Sequence, residues 1–592
     1  MDANSHATGA SSSSQETPET MPVRTHHSEE LDEKLAMYLE EKRQNSTSSQ
    51  PSASEKASPQ SVIALPERSN SCGSNNGSVA SPPAQPYRGQ GTKEDPYIVD
   101  WDADDPADPY NWSRSRRWLL TGQLAFGTLC ITLGSSSYSG AIPRAKKELH
   151  MTNAVAILPI SVYVFGFALG PLVFAPLSEL YGRRRIFLCS FLPFFLFQIP
   201  CALAPNQYVL VVFRFLAGVF GSSPLSNGAG ALADIWPASQ RGVAASIYSS
   251  GPWFGPIMGP MVGGFLIRTP PGWRMVFWII FMIAAIPSFL GIFYMPETYA
   301  PVLLRRRAQK LYEESARTVH YVSKYDTGRR ETPMQKISSN MRRPFVFLFT
   351  EPIVALFSLW VGVLYGSLYA TFIAFPFVFQ RERHWYAWQT GLTFLGMGVG
   401  VIFGNILAPF NNKLYNRIAA KQPNGKASPE ERLLQGMLGG VLVPIGLFWF
   451  AWSTHPNVHF MVPILSGIPF GMGTLMVFAA VVAYLMDTYQ TFTASAIAAT
   501  VVLRSILGAL FPLFTSGLFV RIGTQWGASV FAFLALACMP LPFIFYFFGH
   551  RIRMNSRIAR QFAIAQLQQQ QRATNRSKQP SRNPSLRNPS QV

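Results

Sequence analysis

The sequence predicts an all-α integral membrane protein with twelve transmembrane helices arranged as two pseudo-repeated halves of six. Between about residues 118 and 550 the chain is a series of apolar stretches of roughly 20 residues, the length that crosses a bilayer core of roughly 30 Å as an α-helix. The chain is 48% hydrophobic and only 14% charged, whereas soluble domains are about 25% charged. A long polar interruption after the sixth stretch divides the series into two equal sets.

Both ends of the chain differ from this apolar middle. Residues 1–115 are polar and rich in Ser, Pro, Glu and Asn, and residues 551–592 finish in a Gln-, Arg- and Asn-rich run without apolar periodicity. Such segments bury too little apolar surface to offset chain entropy. The sequence therefore predicts two disordered tails around an N-terminal six-helix half at 116–296, a central loop at 297–352 and a C-terminal six-helix half at 353–550.

Twelve apolar stretches are long enough to be predicted as membrane spans. The seventh and eighth are the hardest to separate, because only RERHW (381–385) lies between them. The predicted spans are 118–140, 154–177, 186–204, 208–231, 243–267, 275–295, 353–378, 388–410, 434–453, 459–485, 495–520 and 527–549.

The cations lie mainly in every second loop. If both termini are cytoplasmic, the inner loops contain Arg183, Arg184 and Arg185, eleven Lys and Arg residues at 305–343 and five more at 413–432. The outer loops hold far fewer cations. Because cytoplasmic loops of membrane proteins carry an excess of Lys and Arg, this asymmetry predicts that both tails and the central loop are cytoplasmic.

Several function classes are disfavoured by the composition and the motifs. The net charge of +19 comes largely from cations that flank apolar spans, and nothing resembles a zinc finger or a basic region joined to heptads, so we expect no nucleic acid partner. There is no P-loop, G-x-S-x-G or H-E-x-x-H pattern, and no Cys pair has metal-ligand spacing. We therefore predict a protein that is not an enzyme and has no cofactor or metal.

A weak internal repeat supports the two halves. APLSELYGRR (175–184) follows the second span and APFNNKLYNR (408–417) follows the eighth, and they share Ala-Pro, Leu-Tyr and Arg once one residue is inserted. Repeated halves are typical of secondary transporters, in which one half rocks against the other around a central site.

The fifth span contains the most informative motif, GPWFGPIMGPMVGG (251–264). Glycines four apart form one slowly turning stripe on a helix, and they let a neighbouring backbone approach closely. Each proline removes a helix hydrogen bond. We interpret the segment as a helix that packs tightly yet bends, and a plain packing seam is the alternative. The residues are Gly251, Gly255, Pro256, Gly259, Pro260, Gly263 and Gly264.

These residues resemble a motif of the major facilitator superfamily. The fifth span is similar to the antiporter pattern G-x-x-x-G-P-x-x-G-G, and RFLAG (214–218) is similar to the R-x-x-x-G of proton-coupled members. The loop after the second span resembles the signature G-x-x-x-D-R-x-G-R-R, from which it departs at Ala175, Glu179 and Leu180. The resemblance implies the major facilitator fold.

Further segments resemble the fungal branch of the twelve-span drug:proton antiporters. They are DPADPYNW (105–112), MPETYAP (295–301) and SAIAATVVLRSILGALFPLF (495–514). The resemblance implies a monomeric plasma-membrane protein, with the vacuolar membrane as alternative, that exchanges protons for amphipathic organic compounds such as drugs, secondary metabolites, polyamines or organic acids. A proton-symport importer of a small nutrient and a non-transporting membrane sensor remain alternatives.

The resemblance also assigns a conformational latch to the loop after the second span. Glu179, Gly182, Arg183 and Arg184 occupy it, and by family analogy the acid docks against a neighbouring helix terminus. An acid near a helix N-terminus is favoured by the helix dipole. Simple positive-inside anchoring is the alternative for the arginines, although it does not explain an acid among them.

Charged residues within the spans predict the coupling site. Arg214 lies about seven residues into the fourth span, where a charge costs at least about 2.5 kcal/mol and usually faces a polar cavity. Snorkelling to the interface is the alternative. We assign proton coupling to Arg214 and Asp234. No Asp or Glu lies at mid-depth in any predicted span, which is unusual for a proton-driven carrier.

Polar and aromatic residues of the spans that line the cavity in the family predict the substrate site. For lone aromatic side chains, lipid contact or ordinary packing is the alternative, whereas Tyr365 and Tyr369 are four apart and so share one helix face. The predicted cavity residues are Ser136, Tyr138, Tyr163, Trp253, Tyr365, Tyr369, Asn405, Tyr484 and Arg504.

Overall fold

The structure, a computed structural model, is almost entirely helical. It describes residues 87–102, 104–237, 240–326, 333–421, 428–489, 493–556 and 560.

The first half of the described chain contains one short strand and eight helices. Their bounds are β1 Tyr97–Val99, α1 Arg114–Ser137, α2 Ile142–Glu148, α3 Asn153–Tyr181, α4 Arg183–Leu196, α5 Gln198–Ala202, α6 Gln207–Ile235, α7 Arg241–Leu266 and α8 Arg274–Phe293.

Among the described residues, the central loop and the second half contain one more strand and ten α-helices. Their bounds are α9 Ala300–Glu314, β2 Tyr321–Ser323, α10 Pro333–Thr350, α11 Pro352–Phe375, α12 Ala387–Leu392, α13 Leu395–Lys421, α14 Leu433–Trp452, α15 Met461–Leu465, α16 Gly467–Thr488, α17 Thr493–Cys538 and α18 Pro540–Asn555.

Ten helices or helix runs of the described residues are long and apolar enough to cross a membrane. Helix α7 is not among them, because its glycines and prolines lower its hydropathy. The run Thr493–Asn555 counts once with 63 residues, yet a straight helix of that length would measure about 95 Å, roughly three bilayer cores. Gly523, at φ 81°, divides α17 into two helices, and α18 follows from Pro540. The number twelve itself stays a prediction.

Local sequence explains where several spans begin and end. Thr152 and Asn206 cap α3 and α6, because their side-chain oxygens accept hydrogen bonds from the backbone N–H groups of Val155 and Val209, which otherwise lack a partner in the first helical turn. Helix α3 ends at Gly182, whose φ of 100° is a backbone conformation that favours glycine.

The helices pack into two halves that share one core. A cluster around Phe191, Tyr163 and Phe167 is confined to the first half. The larger cluster contains side chains of both halves, among them Tyr138 and Tyr369. The interface between the halves is therefore part of the protein core. We name its two ends after residues that lie there, the Arg183 end and the Trp388 end.

The predicted tail at 1–115 and the predicted central loop contain more structure than the sequence suggested. Strand β1 pairs in parallel with β2, with Tyr97 opposite Tyr321. Val99 and Leu304 are fully buried in a small core beneath this pair. Three-residue strands give no recognisable periodicity, so order in this polar composition was missed. The second half likewise runs on to Asn555 in α18, beyond the predicted boundary at 550.

We call residues 87–112 together with 300–326 the clasp, because ion pairs join these two segments. Arg307 pairs with Asp105 and, at 3.5 Å, with Asp102, while Lys324 pairs with Asp100. Burial raises the pKa of the Asp105 carboxyl, but hydrogen bonds from the Ala107 N–H and from Arg307 outweigh it, so the pKa lies below its ordinary value. The clasp is therefore held partly by charge.

Candidate functional site

Arg214 lies in the middle of the first half and is completely buried. Its Nε donates to the carbonyl oxygen of Pro159 (3.1 Å), Nη1 to that of Gly134 (2.8 Å) and Nη2 to that of Ser135 (3.1 Å). The guanidinium Cζ also lies 4.2 Å from the centre of the Tyr163 ring. Arg214 thus joins α6 to the backbones of α1 and α3, and it does not snorkel to the surface.

A chain of hydroxyl groups connects this site to the second half. Ser135 Oγ lies 2.8 Å from Tyr369 Oη, and Tyr365 Oη lies 3.5 Å from Tyr369 Oη. Both tyrosines are buried on one face of α11, as their spacing predicts. The contacts around Arg214 therefore cross the interface between the halves at the centre of the bundle.

Arg504 approaches the same tyrosine pair from the second half. Its Cζ lies 5.1 Å from the centre of the Tyr365 ring and 5.1 Å from that of Phe478. The ring of Trp253, from the first half, makes a T-shaped contact with that of Phe478, with ring centres 5.4 Å apart. Trp253, Arg504 and the tyrosines thus form one aromatic and cationic group.

Of the remaining predicted cavity residues, Tyr138 and Ser136 lie beside the central group, and Asn405 lies at another contact between the halves. Tyr138 stacks on Phe277 at 6.1 Å and is buried beside the central group, as is Ser136 on the same stretch of chain. Asn405 accepts a hydrogen bond from Ser250 at 3.5 Å, across the interface between α13 and α7.

Tyr484 is not part of the central group. It packs against Phe357 at 5.2 Å, near the end of α16 and the start of α11. Tyr484 lies in the core of the second half, close to the Arg183 end. Its place within the predicted tenth span did not indicate this.

The glycines of α7 lie against the backbone of α1. A Cβ added at Gly255 would overlap Thr132 Oγ1, one at Gly259 would overlap Ser136 Oγ, and one at Gly263 would overlap the Ser137 carbonyl oxygen. Pro256 and Pro260 lie within the same helix. The stripe predicted from the motif is therefore the surface on which α7 and α1 come closest.

The Trp388 end of the interface is closed by the last turns of α7. A Cβ at Gly264 would lie 2.5 Å from the Ala387 carbonyl oxygen, and one at Gly391 would lie 2.8 Å from Met261 Cα. Helix α12 of the second half thus lies directly on α7. Gly391 was not predicted, because nothing in its surrounding sequence marks a close approach.

At the Arg183 end, the predicted latch residues form a compact network. Arg183 Nε pairs with Asp234 Oδ2 at 3.1 Å, and the Arg183 backbone N–H donates to Glu297 Oε1 at 2.8 Å. A Cβ at Gly182 would overlap the Glu297 carboxylate. Arg184 Nη2 donates to the Ile292 carbonyl oxygen at 3.0 Å. Glu297, within the quoted segment MPETYAP, was not predicted as part of the network.

Asp234 therefore lies with the latch residues and not beside Arg214. The two are 20 positions apart on α6, which corresponds to about 30 Å along the helix. The predicted pair of coupling residues is not brought together by the structure. Both residues were assigned to proton coupling because one is a charge within the predicted fourth span and the other a charge at its end.

Glu179 lies where the halves meet at the Arg183 end. Its Oε2 accepts a hydrogen bond from Asn340 Nδ2 of α10 at 3.2 Å. A cavity of about 120 Å³ is lined by these two residues and by Ala494, Ser495 and Ala498 in the first turns of α17. The resemblance led us to expect Glu179 beside a neighbouring helix terminus, and the residue shares a cavity with the first turns of α17. Its hydrogen-bond partner, Asn340, was not predicted. The halves are in contact at both ends.

Comparison with known proteins gives consistent matches over most of the chain. The family model described as "Major Facilitator Superfamily" matches residues 124–512. The Major facilitator superfamily multidrug transporter mdrA of Aspergillus fumigatus is 44% identical over 472 residues, which cover 79% of this chain and 77% of that protein. The MFS-type efflux pump MFS2 of Trichophyton rubrum is 42% identical over 475 residues, covering 80% and 79%.

Solved structures show the same fold at much lower identity. The xylose transporter XylE from E. coli, in a partially occluded inward-open conformation, superimposes with a TM-score of 0.53 and 15% identity, covering 73% of this chain and 98% of XylE. A crystal structure of a D-xylose-proton symporter gives a TM-score of 0.54 at 16% identity, covering 72% and 97%. By its match to the family model and its relatives, this chain belongs to the Major Facilitator Superfamily and is a multi-pass membrane transporter rather than an enzyme.

Proposed function

We propose that the protein is a proton-coupled exporter of amphipathic organic compounds, such as drugs or secondary metabolites. The observation that carries the proposal is the central group, in which Arg214, Ser135 and Tyr369 connect the two halves. A site of buried aromatic rings with a few polar groups suits a compound with an apolar body and polar substituents. Relatives named as a multidrug transporter and as an efflux pump support export.

We propose that transport proceeds by alternating access. The contacts of α7 with α12 close the Trp388 end, and those of Glu179 with Asn340 close the Arg183 end. Separating one set while the other holds opens the central group to one side of the membrane. The cation-rich Arg183 end and both termini face the cytoplasm in this proposal, following the positive-inside bias. The protein acts as a monomer in the plasma membrane.

Proton coupling is proposed to act at two places. The guanidinium group of arginine does not lose its proton in proteins, so Arg214 acts as a fixed positive charge at the centre. Asp234 is the acid that takes up a proton, and its protonation discharges the ion pair with Arg183. Loss of this pair loosens the network beside the latch and favours opening of the Arg183 end.

Reconstitution into proteoliposomes tests the proposal. Purified protein is mixed with a panel of radiolabelled amphipathic compounds, and flux is measured with an imposed pH gradient of either direction and with none. We expect a compound to move against the direction of proton flow. Movement in the same direction as protons would instead show a symport importer, and binding without flux under any gradient would show a sensor.

A further inference from the structure

The centre of the bundle holds two buried guanidinium groups, those of Arg214 and Arg504, which differ in the hydrogen bonds that they make. Arg214 donates to three backbone carbonyl groups. Arg504, only 8% exposed, lies between two aromatic rings, and its Nε has no hydrogen-bond partner among the described residues. A buried charge without hydrogen bonds is costly, whereas a ligand of opposite charge removes that cost.

Within the described part of the chain, no carboxylate neutralises these two cations. The acids of the membrane helices lie at helix ends, as Asp234 and Asp487 do, and each of these pairs with another arginine, Arg183 or Arg432. The central group is therefore positively charged. Such a site attracts an anionic group and repels a cationic one.

Trp253, which contacts Phe478 as Arg504 does, also has an unsatisfied donor. Trp253 is 4% exposed, and its Nε1, which can only donate, has no partner among the described residues. The hydroxyl groups of Tyr138 and Ser505 are also buried without one, although a hydroxyl can either donate or accept. A ligand that satisfies Arg504 Nε and Trp253 Nε1 must supply acceptor atoms.

Trp253 and Arg504 both contact Phe478. The centre of the Phe478 ring is 5.4 Å from that of Trp253 and 5.1 Å from Arg504 Cζ. Trp253 belongs to the first half and Arg504 to the second. An acceptor group that binds both side chains therefore contacts both halves. A substrate carried through a movement of one half against the other makes such contacts.

We propose that Arg504 and Trp253 form the subsite for the acidic group of the substrate, so that the exported compounds are amphipathic organic acids with a carboxylate attached to an apolar body. This inference rests on the proposed export function and specifies its substrate class. The carboxylate accepts from the Arg504 guanidinium and the Trp253 N–H, while Tyr365, Phe478 and Tyr138 contact the apolar body.

Binding of three matched probes to the full-length protein in nanodiscs tests the inference. The probes share one anthracene ring and carry a carboxylate, a methyl ester or an aminomethyl group. We expect the carboxylate to bind at least about tenfold more tightly than the ester, since a hydrogen bond to a charged group discriminates at this level. The amine should bind more weakly than the ester. Equal binding of all three, or preference for the amine, would overturn the inference.

Variants assign the effect to the subsite. Arg504→Gln should weaken carboxylate binding at least about tenfold and leave ester binding nearly unchanged, because only the charge-assisted hydrogen bonds are lost. Trp253→Phe, which keeps an aromatic ring and removes the N–H, should weaken carboxylate binding by a smaller factor. Arg521→Gln is the matched control, since Arg521 is exposed on the same helix α17. Unchanged carboxylate preference in both subsite variants would refute the proposal.

Flux in proteoliposomes separates this inference from the proposed export. If the ester or the amine is exported and the carboxylate binds no better, export stands and the acid subsite is wrong. If the carboxylate binds in an Arg504-dependent way but no probe moves under any gradient, the subsite stands and export is wrong.

Discussion

Gly259 shows how little space separates α7 from α1. A Cβ added at this position would overlap Ser136 Oγ and would lie 2.8 Å from the Ser137 backbone nitrogen. Backbone atoms cannot move aside as a flexible side chain does. The motif in the sequence predicted a close approach, but the identity of the neighbouring residues depended on which helix lies beside α7.

We expect Gly259→Ala to abolish transport while the protein still inserts. The extra methyl group forces α7 and α1 apart, and overpacking of this kind costs about 1–3 kcal/mol. Flux into proteoliposomes is the measurement, with surface labelling of whole cells to confirm insertion. Gly122→Ala is the control, because a Cβ at Gly122 has nothing within 4 Å. Wild-type flux in Gly259→Ala would contradict the prediction.

Arg214 is expected to be needed for transport more than for binding. Arg214→Ala removes three hydrogen bonds to backbone carbonyl groups of α1 and α3, and Arg214→Lys keeps the charge but not the planar group that makes them. We predict loss of gradient-driven flux with Ala and at least about tenfold reduction with Lys, the effect of roughly one charged hydrogen bond. Equilibrium binding is measured alongside, and full flux in Arg214→Ala would refute a coupling role.

The property of the site residues that the sequence predicted best was how deep each lies within its span. Arg214 and Arg504 are both buried at the centre, and Tyr365 and Tyr369 share one face. Depth alone does not tell which face of a helix a residue lies on, and Tyr484, predicted as a cavity residue, packs against Phe357. Partners from distant segments, such as Glu297 and Asn340, are set by tertiary packing and leave no local signal.

At the scale of elements, the clasp is the feature that the sequence did not predict. Its strands are three residues long, and among the residues that the structure describes the small core has Val99, Leu304 and Ala308 as its buried hydrophobic residues. So small a core gives limited stability, and the ion pairs of Arg307 and Lys324 supplement it.

The clasp should weaken in acid. The pKa of Asp105 is lowered in the folded protein, chiefly by the Ala107 N–H and Arg307 against the opposing effect of burial, and the pKa of Asp100 is lowered by Lys324 and the Trp101 N–H against the same effect. A lowered pKa contributes stability that is fully present above the ordinary value and is lost as the pH falls through the folded-state value. We expect the clasp to be intact at pH 7 and to loosen below about pH 4.

Hydrogen exchange measures this loosening. After correction for the intrinsic pH dependence of exchange, the amide of Tyr97, which donates to the His320 carbonyl, should lose protection below pH 4, while amides of α6 should not. Arg307→Gln should expose the same amide already at pH 7. Protection at residue 97 that is independent of pH and of Arg307 would show that the apolar core alone holds the clasp.

At the scale of the whole molecule, the halves touch at both ends of their interface. Contacts at the Arg183 end depend on polar groups such as Glu179 and Asn340, whereas those at the Trp388 end involve backbone atoms around Gly264 and Gly391. The two ends should therefore respond differently to single substitutions, and the Arg183 end should loosen more readily.

We predict that Glu179→Gln increases access to the centre from the Arg183 end. A Ser505→Cys reporter, placed where the native side chain is buried, is labelled with a membrane-impermeant thiol reagent in a background without the native cysteines. Inside-out vesicles should show several-fold faster labelling in Glu179→Gln, and right-side-out cells should not, because replacing the charged acceptor costs about 1 kcal/mol or more. Equal labelling rates with and without Glu179→Gln would show that this contact does not close the end.

The architecture was largely predictable because span length and hydropathy depend on composition alone. The break at Gly523 in the 63-residue run from Thr493 falls in the gap between the predicted spans 495–520 and 527–549. Helix α7, despite its Gly and Pro content, overlaps the predicted span 243–267. The predicted tail extended too far, since order from Tyr87 onward depends on residues more than 200 positions away.

That separation has a consequence for how the chain is assembled. Tyr97 pairs with Tyr321, and every span of the first half lies between them. During synthesis, β1 emerges before the first span but has no strand to pair with until the ribosome has passed β2. The clasp can therefore form only once all six spans of the first half have been translated. From that point its closure can join the two ends of the first half before the second half is complete, because both of its strands have then been made.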